Sequence, residues 1–542
     1  MMLKKRNSFM LMMIVIMLVA LTAGCSSNSS NNNSGDKQSN QTSGNSQGAN
    51  AVNVQDPAAD EIVDLEVWIG NNGFKSTEKG SQLYNFYADL LGVGFISPYV
   101  EWNGGTDYLN ALNMKIASGE IPNVFLPFNG NEAELAKNGA IADLTDLLPQ
   151  YAPKLWELIP EEVWNIVKAN DPTGQGRIYW VPGIKTYEKT TGLIRKDWLD
   201  TLNLEIPKTQ EEYVNVLKAF KDGDPNGNNQ ADEIPTGGRE NARWMDHIFN
   251  QYGIAMVEGF PDWDLYDGEL TFSAVTQNMK DALAFAAKLY QEKLLDQESF
   301  LNNKAAWDGK IDNDTVGNYF HWGQAAYEHL EKIEAATGVQ AEIAVLPVLE
   351  APGYEGQGFI STKQVGQPEW VVSAQQDEKH LMASLTFLNE LADESKWADM
   401  YMGVEGMHHV VVDGKKVRLP DDKSTQQNLL SPYYQFGTMD FQEKLLVEAA
   451  SEDTKWKFDQ SIANMKELQQ YVKVIAGDGL PSSIYDDYPD IKNNTLWYEY
   501  ATKIIIGTFS IDKFDEFVEK WYQSGGAAVT EKARAWYAEV GQ

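Results

Sequence analysis

The sequence predicts an α/β fold, with helices packed on a sheet. Three observations carry the prediction. Strand-like and helix-like periodicities alternate from Ile62 to Pro127, the pattern of helices layered on strands. Apolar residues make up 43% of the 542-residue chain, which is ordinary for a globular body with a large core. Beyond the N-terminal segment, no stretch is apolar enough to span a bilayer.

The N-terminus sets the cellular context. Lys4-Lys5-Arg6 is basic, Phe9 to Ala23 is an apolar run too short for a spanning helix, and Leu21-Thr-Ala-Gly-Cys25 follows. The arrangement predicts a signal segment over 1–24. It resembles the lipobox of bacterial lipoproteins, in which the chain is cut before the cysteine and the cysteine, here Cys25, is lipidated. Cys25 is the single cysteine, so no intrachain disulfide and no thiolate cluster can form. Residues 25–58 read as the lipidated cysteine and a Ser/Asn-rich tether. From Ser26 to Gln55 there is hardly an apolar side chain, so the tether cannot bury a core. As a coil it spans on the order of 30 Å. The formal net charge of −34 argues against nucleic acid and anionic lipid surfaces as partners.

The body follows from about residue 59. Ile62 to Trp68 alternates as a strand, and Gly70-Asn-Asn-Gly73 is a loop. Ser81 to Leu91 is a helix with Leu83, Phe86, Tyr87 and Leu90 on one face. Phe95 to Trp102 reads as a second strand, Tyr108 to Ser118 as a helix stopped by Gly119, and Pro122 to Pro127 as a third strand. Ligands of such sheets sit past the strand ends, which brings Gly70 to Asn72, Trp102 to Gly104 and Asn129-Gly130 together. Glu132 to Leu148 and Tyr151 to Lys168 are mainly helical. Gly176 to Pro182 is a strand, and Thr191 to Leu199 is a strand running into a helix. Pro207 to Tyr213 opens a helix through the Thr209/Glu212 capping box, with Tyr213, Val216, Leu217 and Phe220 as its buried stripe. Further on, Met279 to Leu294 and Glu378 to Leu391 read as helices. Thr315 to Trp322 and Ala341 to Leu349 read as strands, and Ile511 to Trp521 as a closing helical segment.

The helix after Pro207 delivers the chain into Asp222-Gly-Asp-Pro-Asn-Gly-Asn-Asn-Gln-Ala-Asp-Glu-Ile-Pro235. Close carboxylates repel unless a cation lies between them, and calcium takes six to eight oxygen ligands. Two registers fit. An EF-hand count runs from Asp222 through Asp224, Asn226 and Gly227 to Glu233. The other uses Asp224, Asn226, Asn228, the Gln230 carbonyl, Asp232 and Glu233. Pro235, Gly237 and Gly238 follow, so no exiting helix starts at once, and the second register is favoured.

Five features in order carry a wider resemblance: the lipobox, Leu112-Asn-Met-Lys-Ile-Ala-Ser-Gly-Glu-Ile-Pro122, Ile194-Arg-Lys-Asp-Trp-Leu199, Pro207-Lys-Thr with Glu212-Tyr213, and Asp224 to Pro235. Together they resemble the family 1 extracellular solute-binding proteins, nearest to the large lipoproteins of carbohydrate ABC importers that include alginate-oligosaccharide receptors. The resemblance implies a two-lobe, periplasmic-binding-protein-like fold of type II with the ligand cleft between lobes. The first lobe begins over about 59–185 and the second over about 190–335, and later segments are shared. It also implies a structural Ca2+ on Asp224, Asn226, Asn228, Gln230, Asp232 and Glu233. It implies an oligosaccharide ligand, ABC permease subunits as partners, and a lipid-anchored monomer on the extracytoplasmic face of the cell membrane.

Sugar sites pair flat aromatics with hydrogen-bonding side chains in a preformed cleft. Sixteen Trp and 24 Tyr supply platforms. Those at strand ends or loops are the candidate contacts: Trp68, Trp102, Trp180, Trp244 and Trp322, with Asn129 and Glu405. Trp198 and Trp521 lie on helical stripes and read as core. Arg195 reads as a structural ion pair more readily than as a partner for an acidic sugar. No Gly-x-Ser-x-Gly, phosphate-loop or His-Glu-x-x-His motif occurs, so no catalytic residue is assigned and ATP hydrolysis belongs to another chain. A glycosidase needs only two carboxylates, which 78 acids supply in many ways. It remains the rival reading, beside a sensory or adhesive receptor without transport.

Overall fold

The structure is a computed structural model that describes residues 62–69, 77–100, 105–128, 130–241, 243–323, 326–412, 414–419, 430–431, 433–450 and 452–540. The signal segment, Cys25, the tether, Trp102 and Asn129 lie outside the described residues. Eight strands build its two principal sheets: β1 Asp64–Trp68, β2 Gly94–Ile96, β3 Val124–Phe125, β4 Val181–Ile184, β5 Thr190–Arg195, β6 Asn318–Trp322, β7 Ile343–Val345 and β8 Val365–Val372.

The first sheet runs β2-β1-β3-β8-β4. β1 pairs in parallel with β2 and β3, and β8 runs antiparallel to β3 and β4. In β1, Leu65 and Val67 are buried while Asp64 and Glu66 keep some exposure, the alternation expected of a strand. The helix Gln82–Leu91 starts where the Ser81 side chain accepts a hydrogen bond from Tyr84 N, and stops at Gly92 in the left-handed region. It buries Tyr84 and Leu91 together with Leu83 and Tyr87, so its inward face is rotated from the expected one. Several elements are shorter than expected. The second strand ends at Ile96, and the third keeps only Val124–Phe125. The 132–148 region splits into Asn131–Lys137 and Leu147–Tyr151.

The second sheet centres on β5, with β6 and β7 antiparallel on either side. Helix Gln210–Gly223 has the expected capping box: Thr209 accepts from Glu212 N, and Glu212 accepts from Thr209 N. It buries Tyr213, Val216, Leu217 and Phe220 in a core shared with helix Gln277–Gln291, with the Phe220 ring edge-on to Trp198. Trp497, Phe517 and Trp521 from the end of the chain join this second core. A separate core fills the first lobe, from Leu65 to Ile184 and again from Trp370 to Leu445.

The chain therefore passes between lobes three times: between β4 and β5, between β7 and β8, and between helices Met439–Ala449 and Lys455–Leu468. Asn464, on the last helix, donates to Ile343 O of β7, fixing the return. Among the described residues, no helix is long and apolar enough to cross a membrane.

Candidate functional site

The first two crossings are hydrogen-bonded to one another, and the chain past helix Lys455–Leu468 closes on both. Lys185 N donates to Gln364 O, joining the first to the second. Glu188 N donates to Gln469 Oε1 and Gln469 Nε2 donates to Glu188 O, joining the first crossing to the turn just past helix Lys455–Leu468. Asp478 accepts from Gln364 N and Val365 N. Glu188 itself is 0% exposed. Its Oε1 accepts from Lys189 N, Thr190 N and Thr190 Oγ1, and its Oε2 accepts from Lys185 Nζ at 2.6 Å. Burial pushes the Glu188 carboxyl up, but the Lys185 charge and the hydrogen bonds from Lys185 and Thr190 outweigh it and hold it below its ordinary value.

A cavity of about 270 Å³ opens beside this junction. Its floor is a close approach of β4 and β8. A Cβ on Gly366 would lie 2.7 Å from Gly183 O, so only glycine fits there. Lys185, Tyr187 and Lys189 come from the first crossing, Glu369 from β8, Trp322 from the end of β6, and Glu258 from a loop of the second lobe. Glu369 accepts from Gln435 Nε2 at 3.1 Å, and Gln435 Oε1 accepts from Trp370 Nε1 at 3.0 Å. Burial pushes the Glu369 carboxyl up to about 7. Lys189 is pushed down, first by burial and then by the Lys185 charge. Trp322 is 41% exposed, and its Nε1 lies 3.5 Å from Glu258 Oε1. The cavity thus offers one open indole, two ammonium donors and two carboxyl acceptors. It sits at the small end of ligand cavities, which run to about 300–1,000 Å³.

Of the residues expected to contact ligand, Trp322 lines this cavity. Trp68, Trp180 and Trp244 do not. They are 7%, 7% and 6% exposed, with Trp68 and Trp180 packed in the first core. Trp68 Nε1 donates to Glu66 Oε1, and the Arg239 guanidinium stacks 4.3 Å over the Trp244 ring. Glu405 is exposed in the turn before the hairpin His409–Val412/Lys415–Arg418 and is not among the residues lining the cavity. Lys185, Lys189, Glu258, Glu369 and Gln435 were not anticipated. The one sequence signal for them is the charged Lys185-Thr-Tyr-Glu-Lys189 run between two buried strands, since a linker that short must lie where the lobes meet.

The acidic loop leaves helix Gln210–Gly223 with Asp224 in the left-handed region. No helix follows directly; the next begins at Asp246. The loop is held by its own side chains. Asn228 N donates to Asn226 Oδ1, Gln230 N to Asn228 Oδ1, and Asn228 Nδ2 to both Asp232 oxygens at 3.1 and 3.2 Å. Glu233 Oε1 is buried without a hydrogen-bond partner. Its carboxyl is pushed up by burial and by the Asp232 and Asp224 charges. An orphaned acceptor among like charges is the donor set a hard cation satisfies, so these residues fit Ca2+.

Arg195 at the end of β5 is 1% exposed. It donates through Nε and Nη2 to both Asp197 oxygens, at 2.8 and 2.6 Å, and through Nη1 to Asp314. It lies over Trp198 and is a structural ion pair in the second lobe.

The sequence profile of a family described as bacterial extracellular solute-binding protein matches residues 99–394. The fructooligosaccharide ABC transporter substrate-binding protein FusA of Streptococcus pneumoniae serotype 4 is 31% identical over 295 residues, 49% of this chain. That match spans about half of FusA, 52% of its length. Lipoprotein LipO of Bacillus subtilis is 26% identical over 436 residues, 79% of this chain and 83% of LipO. Among solved structures, the alginate-binding protein AlgQ2 without calcium ion superposes with a TM-score of 0.61 at 20% identity, covering 88% of this chain and 98% of AlgQ2.

Proposed function

The chain belongs to the bacterial extracellular solute-binding protein family, and from that premise we propose that it captures an oligosaccharide and hands it to the permease of an ABC importer. The observation that carries this reading is the cavity beside the junction of the first two crossings. There an open Trp322 face stands beside Lys185, Lys189, Glu258 and Glu369, the combination that sugar C–H faces and hydroxyls ask for. Ligand binds between the lobes, and the lobes close about the crossing segments. Closure is favoured only by the ligand's preference for the closed arrangement. Cavity size supports one sugar unit at this point, with the rest of a longer ligand extending along the cleft. In this reading the lobe division follows the expected boundaries, and Cys25 carries a lipid that tethers a monomer to the extracytoplasmic face of the membrane.

The acidic loop is assigned to Ca2+ through Asp224, Asn226, Asn228, the Gln230 carbonyl, Asp232 and Glu233. When bound, the ion supplies charge neutralisation that lets these carboxylates pack together. Asn226 Nδ2 donates to Asp314 O, which ties the loop to the body of the lobe. The loop residues do not line the cavity, so the ion braces rather than contacts the sugar.

One observation favours a second reading. A carboxyl near 7 and a second carboxylate, Glu369 and Glu258, share the cavity, as an acid and its partner do in glycosidases. Calorimetry of the chain against a panel of neutral and acidic oligosaccharides, with chromatography of the recovered sugar, separates the two. Saturable binding with the sugar returned intact supports capture. Release of shorter sugars overturns it.

A further inference from the structure

Behind the strand that carries Trp322 lies a cluster unrelated to the cleft and to the acidic loop. Asp308 sits on helix Lys304–Asp312, His321 on β6, and His329 on helix Ala326–Thr337. One ligand-type atom from each lies within 4.8 Å of the others. His321 and His329 are 6% and 3% exposed. His321 Nδ1 and Asp308 Oδ1 are buried and have no hydrogen-bond partner. His329 Nδ1 is bonded to Asp312 Oδ1 at 2.7 Å, which fixes the ring and leaves Nε2 for another role. A carboxylate behind a histidine is the usual outer support of a metal ligand.

We propose that Asp308, His321 and His329 form a binding site for a divalent transition metal of the zinc class. Two imidazoles and one carboxylate are the donor set that zinc and its neighbours prefer, with a fourth position left for water. The set is wrong for calcium, which wants six or more oxygens, so the two cation sites differ in chemistry. Ligands about 2.0–2.2 Å from a tetrahedral ion stand roughly 3.3–3.6 Å apart. Closing from the present spacing asks only for small side-chain rotations. The cations nearby already have counter-ions: Lys304 pairs with Asp308 through Oδ2, Lys332 with Asp312, and Arg239 with Glu240. Asp308 Oδ1 is thus left to the site. Neighbours on a strand face opposite sides, and Trp322 lines the cleft while His321 does not. The ion is a clip that holds β6 to two helices from behind. It takes no part in chemistry on the ligand.

The test titrates Co2+ into the full-length chain after chelation and resaturation with Ca2+. One equivalent is expected to give the visible absorption bands of a four-coordinate site, displaced by Zn2+. Zn2+ at a hundredfold excess over its Kd is expected to raise the Tm by about 3 °C. His321→Gln and His329→Gln are expected to weaken uptake at least tenfold. Asp312→Asn, which removes the outer support and the counter-ion of Lys332 while leaving the three ligands in place, is expected to weaken it by roughly 10–100-fold. The proposal is overturned if the unaltered chain shows no stoichiometric Co2+ bands, a measurement that needs no variant to fold. It is overturned equally if both histidine variants keep the affinity within threefold.

Discussion

Replacing Glu188 by alanine probes the junction directly. The carboxylate is fully buried and accepts four hydrogen bonds, from Lys189 N, Thr190 N, Thr190 Oγ1 and Lys185 Nζ. Removing one partner of a buried ion pair costs about 3–5 kcal/mol, since the other is left desolvated. The folded body runs from Asp60 to Gln542, and unfolding entropy of about 2.1 cal/mol/K per residue makes each kcal/mol worth roughly 1 °C. Glu188→Ala is therefore expected to lower the Tm by roughly 3–5 °C in scanning calorimetry. It also frees Lys185, a cavity-lining donor, so sugar affinity should fall by roughly 10–100-fold, the worth of one charged hydrogen bond. Glu188→Gln keeps an oxygen for the three Oε1 bonds and should do less on both counts. The pH dependence has a definite sign. The native carboxyl lies below its ordinary value of 4.5, so its contribution is present above 4.5 and disappears as pH falls through the native value. The gap between wild type and Glu188→Ala should shrink in acid. A Tm within 1 °C of wild type together with an affinity within twofold would refute the argument that this carboxylate organises the junction.

Four further outcomes are expected. Arg195→Met leaves Asp314 buried and unpaired, costing about 3–5 kcal/mol by denaturant titration with sugar affinity unchanged. Trp322→Ala removes the open platform and lowers affinity by roughly 5–30-fold, about 1–2 kcal/mol, with a smaller loss of Tm than a fully buried Trp would show, because the residue is 41% exposed. Chelation, or Asp232→Ala, lowers the Tm by several degrees and changes affinity less than about threefold, as an ion that braces without touching ligand requires. Glu369 holds its proton to about 7 in the native chain but releases it near 4.5 when unfolded, so stability falls as pH rises from 4.5 to about 7; Glu369→Gln should flatten that slope in urea titrations.

Local signals were readable and long-range ones were not. The capping box at Thr209 and Glu212, the stripe from Tyr213 to Phe220 and the alternation in β1 are set within one turn or one pleat, and all three are present. β8 escaped notice because Gly366, Pro368 and Glu369 break its pattern. Its register with β4 shifts at Pro368, and only Trp370 to Val372 are fully buried. The cavity escaped for a different reason. Its charged residues come from positions 185 to 189, 258 and 369, each an ordinary surface residue in its own window. Glu188 reads as a linker charge until Gln469, far along the chain, closes over it. The tryptophans at strand ends were placed near the cleft by topology, but indoles are large and bury well. Trp244 shows the limit: its loop position suggests exposure, yet the ring is covered by Arg239 and packs against Phe320.

The placement of the acidic loop decides what a cation bound there could do. Asn226 holds Asp314 through its carbonyl oxygen, and Asp314 pairs with Arg195 at the far end of β5. The near end of β5 is Thr190, bonded to Glu188 at the junction. A contiguous path therefore runs from the loop to the hinge along one strand. A path is not yet coupling, which requires an element with two arrangements that both sites bias. β5 is the central strand of its sheet, paired in a single register with β6 on one side and β7 on the other. All six of its residues are buried, so a one-residue slip would exchange the side chains of its two packed faces. With no second arrangement open to it, β5 passes stability from the loop to the lobe but no signal to the cleft. Hence cation removal should soften the second lobe as a body and leave the hinge equilibrium where it was.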